Sequence, residues 1–102
     1  MNLSKDAELI SCCIYKQYLQ RRKSGESKLS SKIFEDDFYR SDSKISSWNP
    51  DDIHETIREL RTIGYVKTYI RGFEVLDPLI IHMENRFKNG FLEVVDFISK
   101  FI

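Results

Sequence analysis

Three groups of residues have types and spacing that invite a chemical reading. His54-Glu55 opens like the helix of a zinc protease, but the position where the second histidine would stand holds Arg58, so the ligand pair is not formed. Cys12, Cys13, His54 and His82 lack the spacing of a metal-ligand set. Glu35-Asp36-Asp37 supplies carboxylates, yet an acidic run on a short surface helix faces solvent. The four glycines form no cluster that would cradle a phosphate. The expectation is therefore no catalytic residue, no metal, no cofactor and no enzyme. What remains is a strip of cations with one aromatic, His54, Arg58, Arg61, Lys67, Tyr69 and Arg71, a set able to engage phosphates in a salt-sensitive way.

The elements that would position this strip are legible between Trp48 and Pro78. Asn49 can cap a helix, Pro50 suits its first position, and Asp51 and Asp52 complement the positive end of its dipole. Trp48 can pack on Ile53 as a hydrophobic staple. Ile53, Ile57, Leu60 and Ile63 repeat at helical spacing, so the third helix is expected over 49–63. Gly64-Tyr65 ends it. An alternating strand over 66–70, a turn at Arg71-Gly72 and a return strand over 73–76 follow. That register pairs Ile70 with Phe73 and Thr68 with Val75 toward the core, leaving Lys67, Tyr69 and Arg71 outward.

Upstream, Ser4 can cap a first helix with Asp6 and Glu8 in its first turn. Ala7, Ile10, Ile14 and Tyr18 form its buried stripe, flanked by Leu9, Cys13 and Leu19. Arg21-Arg22-Lys23 and then Ser24-Gly25 are the stop signal, which accounts for this basic run better than a phosphate patch does. Residues 24–31 are serine- and lysine-rich with Leu29 the one apolar residue, and a second helix is expected over 31–40, with Ile33, Phe34 and Phe38 inward. Residues 41–47 read as a polar loop anchored by Ile45.

Downstream, Asp77-Pro78 opens a last helical segment, aspartate as cap and proline at the first position. Phe87, Phe91, Val94, Ile98 and Phe101 then recur at heptad spacing. Asn89-Gly90 could separate two helices. The heptad spacing crosses that pair, so one continuous helix is favoured, about 37 Å long at 1.5 Å per residue. Such a helix would overhang a domain about 25–30 Å across and leave phenylalanines for a partner.

A chain of 102 residues carries one core without needing disulfide or metal support. Sixteen basic and sixteen acidic residues cancel, which counts against non-specific nucleic-acid binding unless the charges are segregated. No apolar run approaches a membrane span, and membrane association of residues 91–102 is disfavoured by Glu93, Asp96 and Lys100. The adjacent cysteines read as packed thiols, and a cytoplasmic location is expected.

The order of these elements resembles the winged-helix superfamily, an α+β fold with a three-helix core and a two-stranded wing. The segment Glu59-Leu60-Arg61-Thr62-Ile63-Gly64-Tyr65-Val66-Lys67 is similar to the helix-3 exit of small bacterial and phage regulators. The resemblance implies a winged-helix domain over residues 1–86, with 87–102 as a helical extension for dimerisation or partner binding. It also implies duplex DNA contact through helix 3 and the wing, by His54, Arg58, Arg61, Lys67, Tyr69 and Arg71. Phe87, Phe91, Val94, Ile98 and Phe101 would form a homodimer or partner interface. On helix 3 itself, Asp51, Glu55, Arg58 and Thr62 point outermost, so the turns that commonly reach base edges are acidic. The alternative expectation is a protein–protein module on the same frame without DNA.

Overall fold

The computed structural model describes residues 3–101. Helix α1 (Lys5–Lys23) forms where expected: the Ser4 hydroxyl accepts the Ala7 N–H at 3.1 Å, and the chain leaves through Gly25 at φ +96°. Its burial is wider than one stripe. Ala7, Leu9, Ile10, Ser11, Cys12, Cys13, Ile14, Tyr15 and Tyr18 are all buried, because helices lie against α1 on several sides. Both cysteines are free, and burial raises the Cys12 thiol to about 12 and pushes Cys13 up as well.

The helix expected over 31–40 does not form. Ser27 caps a short turn of helix, α2 (Lys28–Ser31), and the chain then extends as β1 (Ile33–Glu35) before a 3-10 turn at Phe38–Ser41. The apolar residues 33, 34 and 38 suit either conformation, and tertiary pairing decides between them. Phe34 stacks on Phe73 with centroids 5.2 Å apart, and Phe38 meets both rings edge-on. Ile33, expected inward, is exposed. Arg21 also departs from a purely dipolar role: its guanidinium lies 4.1 Å from the Phe34 ring centroid and donates to the Ile33 carbonyl. In the loop that follows, Ile45 is buried as expected, and Asp42 is buried with it.

Helix α3 (Pro50–Thr62) begins as its capping residues dictate, with Asn49 Oδ1 accepting the Asp51 N–H at 2.9 Å. Ile53, Ile57 and Leu60 are buried, Ile63 is half-buried, and Gly64 turns the chain at φ +86°. Strands β2 (Val66–Tyr69) and β3 (Gly72–Val75) form the hairpin, but two residues out of the expected register. Val66 pairs with Val75 and Thr68 with Phe73, so the turn is Ile70-Arg71 and Ile70 is 97 % exposed. The third strand sets this register. The antiparallel sheet has the order β1-β3-β2, and Glu35 of β1 lies opposite Gly72. A Cβ at position 72 would stand 2.0 Å from the Phe34 carbonyl oxygen, so glycine belongs inside the sheet rather than in the turn.

The C-terminal segment is two helices, α4 (Asp77–Arg86) and α5 (Phe91–Lys100), and the continuous helix does not form. Asp77 is not the cap either; it is the first helical residue and pairs with Lys32 at 2.6 Å. Gly90 at φ +82° reverses the chain so that α5 packs on α1. A molecule measuring 32 × 30 × 28 Å has no room for a 25-residue helix along one side without overhang, and the break avoids it. Phe87, Val94 and Ile98 are thereby buried in the chain's own core. Arg86 reinforces the fold-back, stacking 4.4 Å from the Phe97 centroid while pairing with Glu8 of α1. The whole described chain is an α+β fold with five helices and one three-stranded sheet. Among the described residues no helix is long and apolar enough to cross a membrane.

Candidate nucleic-acid interface

The outward strip of α3 and the outward face of the hairpin meet at a cleft of about 320 Å³. The reason is local: α3 runs directly into β2 through Gly64, so the last turns of the helix lie beside the strand they precede. His54, Ile57, Arg58 and Arg61 of α3 line it together with Thr68, Tyr69 and Phe73 of the hairpin. Lys67 stands beside Tyr69, its ammonium 5.7 Å from the ring centroid. Arg71 is at the hairpin tip. All six residues named from sequence are exposed, and four of them line this one cleft.

The charges are partly committed. Arg58 pairs with Glu55 at 3.1 Å, both side chains largely exposed, an arrangement that water and salt weaken. Arg61, Lys67 and Arg71 make no ion pair among the described residues. His54 leans edge-on against Tyr39 at 6.5 Å. The Tyr69 hydroxyl donates to Glu74 Oε1 at 2.9 Å, and this bond raises the phenol above its ordinary value, keeping it protonated and its ring fixed.

Acidic groups sit close by, some turned away and some lining the cleft. Glu59 of α3 is turned to Ser4 at the start of α1. Asp36 was expected to face solvent on a second helix; it lines the cleft, and its N–H donates to the Arg71 carbonyl at 3.0 Å. No sequence signal places Asp36 there, because its position depends on β1 pairing across the sheet with β3. Asp51 and Asp52 remain exposed at the start of α3, beyond the cleft.

The residues expected to make a dimer or partner interface are elsewhere, and three of the five are taken up by the chain's own core. Phe87, Val94 and Ile98 are buried within the fold, while Phe91 and Phe101 are half-buried at two separate grooves. A larger polar hollow of about 590 Å³ lies on another side, between α1 and the 3-10 turn. Its charges are mixed, with Arg21 and Arg40 facing Glu26, Glu35 and Asp37, and Arg21 is held by the Ile33 carbonyl. The α3–hairpin cleft brings together Arg61, which makes no ion pair among the described residues, the Glu55-paired Arg58, an imidazole and an aromatic ring. Such a set offers donors and positive charge to anionic oxygens and a flat face for stacking. Comparison with family models, curated proteins and solved structures found no match to this chain.

Proposed function

We propose that this chain binds duplex DNA on a winged-helix frame, as a transcriptional-regulator type of protein, through α3 and the β2–β3 hairpin. The observation that carries the reading is the single cleft uniting His54, Arg58, Arg61 and Tyr69, with Lys67 and Arg71 extending it along the hairpin. The element order and the β1-β3-β2 sheet support the frame. The turning of Glu59 toward α1 removes one carboxylate from the surface offered to phosphate. Asp51 and Asp52 bias the contact toward the C-terminal half of α3 and the hairpin, since carboxylates near phosphates are repelled.

Fluorescence anisotropy with mixed-sequence duplex DNA, titrated from low to physiological salt, tests this. About four phosphate contacts would weaken binding about a hundredfold between 50 and 200 mM salt. Replacing Arg61 or Arg71 should each reduce the salt slope by about one. Absence of binding at low salt, or binding that survives replacement of Arg58, Arg61 and Arg71 together, overturns the reading. The net charge of zero and the acidic first turn favour a protein partner as the second reading. In that case the same cleft would take a partner segment, because Phe87, Val94 and Ile98 are buried inside the fold.

A further inference from the structure

Of the acidic run Glu35-Asp36-Asp37, Asp36 belongs to the α3 cleft, whereas Glu35 and Asp37 line the polar hollow beside α1. The hollow follows an open strand edge. The Lys32 carbonyl accepts the Val75 N–H, and the Asp36 N–H donates to the Arg71 carbonyl, so the even-numbered residues of this stretch bond to β3. Antiparallel bonding alternates, which turns the N–H and C=O of Ile33 and Glu35 away from the sheet. Strand β1 is outermost in the order β1-β3-β2, so no strand lies beyond it. Among the described residues only one of these four groups finds a partner, the Ile33 carbonyl, which accepts from Arg21. Edge strands are ordinarily kept short, covered, or blunted by lysine and proline. This one is short, yet Ile33 is 45 % exposed and Glu35 is exposed with it.

The side chains around this edge say what it can pair with. Glu26, Glu35 and Asp37 line the hollow and make no ion pair among the described residues. Against them stand Arg40 and Arg21, and Arg21 is already committed to the Ile33 carbonyl. The balance of the lining is anionic. Residues opposite one another across a strand pair share a face, so an added strand would set one side chain against Ile33 and another, two positions along, against Glu35. We propose that the β1 edge docks an extended basic segment of a protein partner, which joins the sheet as a fourth strand. An aliphatic residue of that segment covers Ile33, and a lysine or arginine two positions away meets Glu35, with Asp37 and Glu26 favouring further cations. A second copy offering its own β1 would bring Glu35 and Asp37 to the same acidic lining, so charge selects a basic segment instead. This surface is separate from the α3 cleft, and the proposal stands or falls independently of DNA binding.

The probe is a fluorescein-labelled peptide of about seven residues, a common strand length, in which threonine alternates with lysine, valine and lysine. Titrated with the full chain, it should give a saturating rise in anisotropy, and it should slow amide hydrogen exchange at Ile33 and Glu35. Methylating one alternate set of peptide amides should weaken binding at least about fivefold, the scale of a lost hydrogen bond, while methylating the other set should not. Glu35→Gln should weaken binding up to about fivefold, as an exposed cross-strand charge pair does, with melting unchanged. Glu35→Pro should abolish binding. Proline there removes an N–H that the ladder to β3 does not use, and Phe34 before it is already extended. Equal binding of a peptide with glutamate in place of lysine, equal tolerance of methylation in both sets, or full binding by Glu35→Gln and Glu35→Pro overturns the proposal. So does the absence of binding at about 1 mM peptide.

Discussion

Both oxygens of the Glu59 carboxylate are taken by Ser4, one by its backbone N–H at 3.2 Å and the other by its hydroxyl at 2.9 Å. Ser4 in turn caps α1, so a side chain from the last turn of α3 completes the start of a helix far away in sequence. Glu59→Ala should lower stability by about 1 kcal/mol, the scale of an exposed charge-assisted cap. Urea unfolding checks this. Because the carboxylate is bound by Ser4, any DNA affinity under the proposed reading should rise by no more than the small gain from removing a distant negative charge.

Asp42 gives the fold an acid-sensitive joint. Its buried Oδ2 stands 2.9 Å from the Lys16 ammonium, and Oδ1 accepts the Lys44 N–H at 2.9 Å. Burial pushes this carboxyl up, but the Lys16 and Lys44 partners outweigh it and hold the group below its ordinary value. A depressed folded value means the stabilisation is present above the unfolded value, about pH 4, and is lost as pH falls through the folded one. Asp42→Ala should cost about 3 kcal/mol at neutral pH, at the low end for a broken buried pair because Lys16 can still reach water. The difference from wild type should shrink between pH 5 and pH 2, as read by denaturant midpoints at each pH.

Two glycines should respond to alanine for different reasons. At Gly72 the added methyl meets the Phe34 carbonyl, so β1 must detach from β3, and a loss of about 3 kcal/mol or more is expected. At Gly25 nothing lies within 4 Å, and the cost is only the strain of φ +96°, about 1 kcal/mol. Melting curves of the two variants should separate clearly, and near-equal values would show that β1 does not set the hairpin register.

The fold-back of α5 makes a prediction about assembly. Ile98 is buried against the chain's own core, so Ile98→Ala should lower stability by about 2–4 kcal/mol whatever the protein concentration. A melting temperature that rises with protein concentration would instead place this residue at an interface between chains.

Capping residues made α1 and α3 legible in sequence, because Ser4, Asn49 and Pro50 act on neighbours three residues away or fewer. The outward placement of the six residues, four of which line the cleft, followed from helix and strand periodicity. The illegible parts were those decided across the chain. Ile33 and Phe34 became a strand because β3 lacked a partner on one side, and that pairing then moved the turn to Ile70-Arg71 and brought Asp36 to the cleft. The heptad spacing of Phe87, Val94 and Ile98 was correctly apolar, but spacing does not say whether the covering surface is another chain or α1. Gly90 carried that decision, at a backbone conformation that periodicity does not weigh.

Strand β1 also governs how a ligand would experience the cleft. It joins the hairpin to α1 through Arg21, and it fixes the tip through Asp36 and Gly72. The conformational entropy of the hairpin backbone, about 1–2 kcal/mol per residue, is therefore lost when the protein folds and not again on association. Recognition at this surface should proceed as a single encounter step without a slow rearrangement of the protein.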